Sequence, residues 1–291
     1  FKIKTTGKTP VFGLFVPLSL KNLHVIKYLY LGFSLKTRKQ CNNNSLMKSL
    51  EQVGKYFELL VRVFSKPERH SIYVRQVFNE IDNLGVNSVG IVTVISIFMG
   101  GIMTLQVAYN LQNPLLPIYL IGLGTRDTLI LEFSSTILAL IMAGKIGSNI
   151  TSEIGSMKVT EQIDSLEIMG VNSASYLILP KIIAVVLMFP VLYIISVFFG
   201  LIGGLIVGPA VGAVTATDYL NGIQYLFNSY YVTYSLIKCL VFGFLISSIS
   251  AFFGYTVEGG AFDVGTASTR AVVNTNIMIL VWDLILTQLL F

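Results

Sequence analysis

"LGVNSVGIVTVISIFMGGIMTLQVAYNLQNPLLPIYLIGLGT" runs from Leu84 to Thr125, 42 residues without a single charge. One bilayer-crossing helix needs about 20 apolar residues. The run is too long for one crossing, and "NLQNPLLP" (110–117) supplies a turn in its middle. The spacing predicts a first span over about Val86–Tyr109. A second span starts near Ile118 and ends about Ile146, with Arg126, Asp127 and Glu132 in or near it.

Composition extends this reading to the whole chain. The 291 residues are 54% apolar and only 12% charged, with a mean hydropathy of +0.74. A soluble domain carries about 25% charged residues. The chain is therefore read as an all-α integral membrane protein, because the apolar runs leave no room for a separate soluble domain. Three more spans follow: Leu177–Val214 with Lys181 snorkelling at an interface, Tyr230–Tyr255 with Lys238, and Ala271–Phe291 with Asp283. "TATDYLNGIQ" (215–224) and "VEGGAFDVGTASTR" (257–270) read as polar connections.

Three regions are expected: a leader over 1–44, interfacial helices over 45–84, and a transmembrane domain over 85–291. The leader is interrupted by Lys21, Asn22, His24 and Lys27 and reads as surface-lying or disordered. Between 45 and 83, Leu46, Leu50, Val53, Phe57, Leu60, Val61 and Phe64 recur at helical spacing, as in an amphipathic helix lying in the interface. "SKPER" (65–69) breaks it before a second helix from Ser71. Of 20 Lys and Arg, 14 fall in residues 1–75 against three acids, which places this end on the cytoplasmic side, near anionic headgroups. No nucleic-acid module accompanies the charge, so a nucleic-acid partner is not expected.

Several chemistries are excluded. "AGKIGSNITSEIG" (143–155) contains Gly-Lys, but the residue after Lys145 is Ile146 and the first glycine of a phosphate loop is missing. Two cysteines and two isolated histidines form no metal pattern. No hydrolase spacing is present, so no catalytic residue is assigned and no cofactor or metal is expected in this chain. Three features remain. Glu132, Lys238 and Asp283 are ionisable groups inside spans, where each costs on the order of 2.5–3.5 kcal/mol if unpaired; a structural ion pair and a polar path lining both account for them. Gly200, Gly204, Gly208 and Gly212 recur every four residues, a face for close helix packing. "EIGSMKVTEQIDSLEIMG" (153–170) is a polar, acidic island between two oily spans. Read as a helix from about Lys158, it puts Val159, Ile163 and Leu166 on one face and Glu161, Asp164 and Glu167 elsewhere. Such a helix is suited to a groove in another protein.

"AGKIGSNITSEIGSMKVTEQIDSLEIMGVNSASYLILPK" closely resembles the signature region of MlaE-type ABC transporter permeases and of a related plastid lipid permease. The resemblance continues through "SKPERHSIYVRQVFNEIDNLGVNSV", "LEFSSTILALIMAGK", "YSLIKCLVFGF", "GTASTRAVVNT" and "LVWDLILTQLLF", covering about residues 50–291. It implies a non-catalytic permease subunit working as a homodimer, driven by a cytoplasmic MlaF-like ATPase that holds ATP and Mg, and joined to an MlaD-like MCE-domain protein. The family moves phospholipids between inner and outer membranes. The expected location is the inner membrane of a Gram-negative bacterium, with the plastid inner envelope as the second choice. Residues 153–170 become the coupling helix, with Glu153, Met157, Val159, Glu161, Ile163, Asp164, Leu166 and Glu167 as ATPase-docking residues. Arg75, Glu132, Lys238 and Asp283 match polar positions near the lipid path. Two departures stand out: the family's Arg-Glu pair is Leu131-Glu132 here, and its "ELGP" is "EFSS" (132–135). The competing functions are an ion-coupled secondary transporter using Glu132, Lys238 and Asp283, although no internal repeat is evident, and a membrane scaffold without transport.

Overall fold

A computed structural model describes residues 43–65, 70–111 and 117–290. The expected leader up to residue 42, positions 66–69 of the "SKPER" break and positions 112–116 of the first turn lie outside the described residues. The chain divides into two compact units, Phe1–Gly54 and Lys55–Phe291, and the second carries every span. Every regular element among the described residues is helical. Five helices are long and apolar enough to cross a bilayer: Tyr73–Asn110, Leu120–Val159, Ser173–Ala210, Ser229–Tyr255 and Ala261–Leu290.

The observed bounds differ from the sequence reading where polar residues were taken as breaks. The second helix does not stop near Ile146 but continues to Val159. Its Ser148, Thr151, Ser156 and Thr160 hydroxyls donate back to carbonyls one turn earlier, so these polar residues serve the helix they stand in. The fifth helix begins at Ala261, inside the expected 257–270 loop. The Asp263 carboxylate accepts from the Gly260 backbone N–H at its start, and the Thr266 and Thr269 hydroxyls bond within it. Likewise 215–224 is mostly a helix, Ala216–Gln224, capped by the Thr215 hydroxyl, which accepts from Asp218 N–H.

The most extensive pairing is between the first and third helices. Backbones approach closely there, because a Cβ on Gly203 would run into the Ile97 carbonyl and one on Gly100 into Gly200. Without water, close van der Waals contact is what holds such helices together. Gly204 faces Tyr219 and Thr104, and Gly208 faces Val214. Gly212 does not belong to this face: the helix ends at Ala210, and Gly212 takes a left-handed turn (φ +73°) in open space.

Three stretches are π-helical, Ile81–Val86, Leu129–Ile137 and Ala143–Gly147. Single π turns inside α-helices often mark functional sites. In the second stretch the Ile130 carbonyl accepts from the Ser235 hydroxyl (2.7 Å) and the Tyr193 hydroxyl (3.3 Å), which supply partners from the fourth and third helices. In lipid no water would do so.

The leading helix, Asn43–Phe64, is amphipathic in an unexpected sense. Its Tyr56, Leu59 and Val63 pack on the core, whereas Val53, Phe57, Val61 and Phe64 of the expected apolar face are exposed. The Tyr56 ring meets Phe252 edge-on, and its hydroxyl bonds Ser248 (2.9 Å). Burial pushes the Tyr56 phenol up from its ordinary value, an effect only partly offset by that bond.

Candidate functional site

Three spans bring Glu132, Lys238 and Asp283 into one cluster. The Lys238 ammonium lies 3.0 and 3.1 Å from the Glu132 carboxylate oxygens and 2.8 Å from Asp283 Oδ1. Lys238 is fully buried, and its Nζ sits 4.7 Å from the Tyr234 ring centroid, one turn earlier on the same helix. The Thr136 hydroxyl donates to Asp283 Oδ1 at 3.1 Å and approaches Glu132 Oε2 at 3.4 Å. Two carboxylates thus face one ammonium. Glu132 is the open member, with 43% of its side chain exposed against 17% for Asp283. The π-helical stretch carrying Glu132 also lines a narrow apolar cleft with Leu129, Phe133 and Ile137, opposite Val92, Ile95 and Met99. Arg75 is not part of this cluster: it is exposed on the first long helix.

A second cluster lies where the helices meet the 160–172 connection. Lys181 is not a snorkelling residue. It is 3% exposed and bonds Glu80 at 2.6 Å and Glu153 at 2.8 Å. Glu153, an expected docking residue, is therefore paired within the chain, although 39% of its side chain stays exposed.

The connection itself is not the single helix expected from Lys158. The second long helix ends at Val159, Glu161 adopts a left-handed conformation (φ +60°), and a short helix covers Gln162–Ile168. A Lys158–Asp164 ion pair at 2.6 Å closes the corner. Val159, Ile163 and Leu166 consequently share no continuous stripe, and Ile163 is wholly buried in the core. Glu167 accepts from the Ser173 and Tyr255 hydroxyls. Met157 is half-buried against the core. Glu161 and Glu167 are the exposed acids of this segment, and Glu167 is already engaged by Ser173 and Tyr255. The prominent apolar side chains are instead Ile168 and Met169, 87% and 68% exposed.

Asn172 ties this corner to its surroundings. Its Oδ1 accepts from Ser175 N–H, capping the third helix, while its amide donates to the Arg62 and Ser65 carbonyls, both at 3.0 Å. Those carbonyls end the leading helix, where backbone acceptors lack helical partners.

The match with known proteins follows the same elements. The Permease MlaE family model matches residues 77–289, from the first long helix to the end of the fifth. The chain belongs to the MlaE permease family. It is 32% identical to a probable ABC transporter permease protein of Rickettsia typhi over 84% of this chain and 94% of that protein. It is also 32% identical to one of Synechocystis, over 86% and 95%. The chloroplastic Arabidopsis thaliana protein trigalactosyldiacylglycerol 1 is 29% identical over 76% of this chain and 63% of its own length. The MlaE-family chain is thus an ABC transporter permease and a multi-pass membrane protein.

Sequence reasoning missed Thr136, Tyr234, Glu80 and Asn172 in this MlaE-family permease. Two of them carried a signal, since Thr136 lies four residues after Glu132 and Tyr234 four before Lys238, the helical contact spacing. Glu80 and Asn172 meet partners about a hundred residues away, and no local pattern announces them.

Proposed function

We propose that this MlaE-family chain is the membrane subunit of an ATP-driven transporter that moves phospholipids between the inner and outer membranes. The observation that carries the reading is the Lys238–Glu132–Asp283 cluster inside the spans, with Glu132 half open on the same π-helical stretch whose Leu129, Phe133 and Ile137 line an apolar cleft. Polar groups suit a lipid headgroup and apolar walls suit its acyl chains. The chloroplastic relative is itself named after a galactolipid. The chain hydrolyses nothing in this reading: ATP and Mg belong to an MlaF-like ATPase. A second copy of the chain and an MlaD-like MCE-domain protein complete the assembly in the inner membrane of a Gram-negative bacterium. The exposed apolar residues of the fifth helix, Ile277, Leu280, Val281 and Leu284, suit a second copy or lipid.

The ATPase docks on the 160–170 corner, and its anchors are Ile168 and Met169 with Glu161 at the rim. Glu153, Asp164 and Glu167 are occupied by bonds within the chain. Exposed apolar side chains at the centre of a contact supply most of its affinity. The double substitution Ile168→Ser with Met169→Ser is expected to cut ATPase co-purification at least tenfold, and full co-purification would reject this docking surface. For the function as a whole, the assembled complex in vesicles moves a labelled phospholipid with ATP, and Glu132→Gln slows it. Transport by the isolated chain on a proton gradient would instead favour the ion-coupled reading.

A further inference from the structure

The face of the membrane domain opposite the 160–170 corner carries an exposed, uncharged aromatic loop. No charged residue occurs from Tyr219 to Ile237. Every residue from Gln224 to Tyr230 is exposed, including Tyr225, Leu226 (74%), Phe227 and Tyr230. We propose that this loop is a membrane-interface anchor, seated among the lipid headgroups at the rim of the second and fourth spans. The proposal requires only that the chain spans a membrane, and it stands apart from the lipid-transport reading.

The loop is built to be held in this position. Arg126 of the second span is 2% exposed, and its guanidinium donates to three loop carbonyls: Ile223 (2.7 Å), Tyr225 (2.8 Å) and Leu226 (3.5 Å). Asp127 neutralises it at 2.7 Å, and the Phe227 ring lies over it at 5.7 Å. Tyr225 packs on Tyr119, with ring centroids 5.0 Å apart. Gly122 and Gly222 let the two backbones touch, since a Cβ on either would strike the facing chain. Leu226 is held in a left-handed conformation (φ +46°), costly for a side-chain-bearing residue. The Tyr230 hydroxyl donates to the Leu290 carbonyl at the end of the fifth span. A buried arginine and a strained leucine are thus spent on presenting apolar side chains outward.

The occupant follows from position. The loop leads directly into the fourth span, and its exposed side continues along that helix as Tyr230, Thr233, Ile237 and Leu240, an outward stripe at helical spacing. Residues that continue a bilayer-facing stripe past the helix end sit at headgroup level, where tyrosine is enriched because its ring is apolar and its hydroxyl polar. The absence of charge fits insertion below the phosphates.

The test uses the full chain by itself, reconstituted in phosphatidylcholine vesicles, with Trp282→Phe removing its one tryptophan. Leu226→Trp reports the loop, and Phe227→Trp repeats the reading without a new side chain at the left-handed position. Each indole is expected to emit to the blue of a water-exposed tryptophan. Each should also be quenched at least twofold more by lipids brominated near the top of the acyl chain than by lipids brominated near its end. Emission typical of water overturns the anchor, and so does blue emission that brominated lipid does not quench, which would mean a protein partner covers the loop. In the same background, Arg126→Lys breaks the guanidinium fork and should halve the quenching; unchanged quenching would overturn the clamp.

Discussion

Lys181 and Lys238 are two buried lysines in the same surroundings on paper. Each is at most 3% exposed, each faces two carboxylates from two other helices, and in each cluster one carboxylate is nearly closed and one partly open. Depth separates them. The fourth helix has 27 residues, about 40 Å, so Lys238 falls within the hydrocarbon thickness of about 30 Å. The third helix has 38 residues, about 57 Å, and must project from the bilayer. Lys181 lies eight residues from its start, beside the polar connection. The same three charges therefore answer to different solvents. Water can reach the Lys181 carboxylates if their partner is lost, and it cannot easily reach those of Lys238.

The largest expected effect comes from Lys238→Met, which strands two carboxylates in the spans. Losing one partner of a buried ion pair costs about 3–5 kcal/mol. Thermal unfolding in detergent should show it, and Lys238→Met with Asp283→Asn should recover part of the loss, because the two residues are coupled. Next comes Lys181→Met, at about 1–3 kcal/mol, since its carboxylates can rehydrate. If the two lysine substitutions cost the same, depth is not what distinguishes the clusters.

Asn172→Asp should cost about 1 kcal/mol. It keeps the oxygen that caps the third helix and loses the amide that holds the leading helix, so hydrogen exchange at the end of Asn43–Phe64 should rise while the third helix is unchanged. Equal exchange in both would break the idea of a one-sided tether. The smallest effect on stability is expected for Glu132→Gln, because the amide oxygen still accepts from Lys238 and Asp283 still balances the ammonium charge. Its transport rate should fall nonetheless. A stability loss as large as that of Lys238→Met would make the central cluster a structural tie only.

Membrane character, helical class and the number of long helices were legible in the sequence because each follows from the length of uncharged runs measured against a bilayer, which is a one-dimensional property. The three intramembrane charges were legible for the same reason: they interrupt those runs. Tertiary structure decided what each charge meets. The acids of 153–170 looked like an outward-facing surface, yet Glu153 turned to Lys181, Asp164 to Lys158 and Glu167 to Ser173 and Tyr255. These carboxylates are partly exposed, and each takes the cation or hydroxyl that packing brings near; for Glu153 and the Glu167–Tyr255 bond, spacing along the chain does not encode that neighbour. Helix ends were misplaced on the same grounds, since hydroxyls read as loop residues bond back into their own helix. Composition and run length chose the solvent and the class of fold; three-dimensional packing chose the partners, because ion pairs and caps join residues about a hundred positions apart.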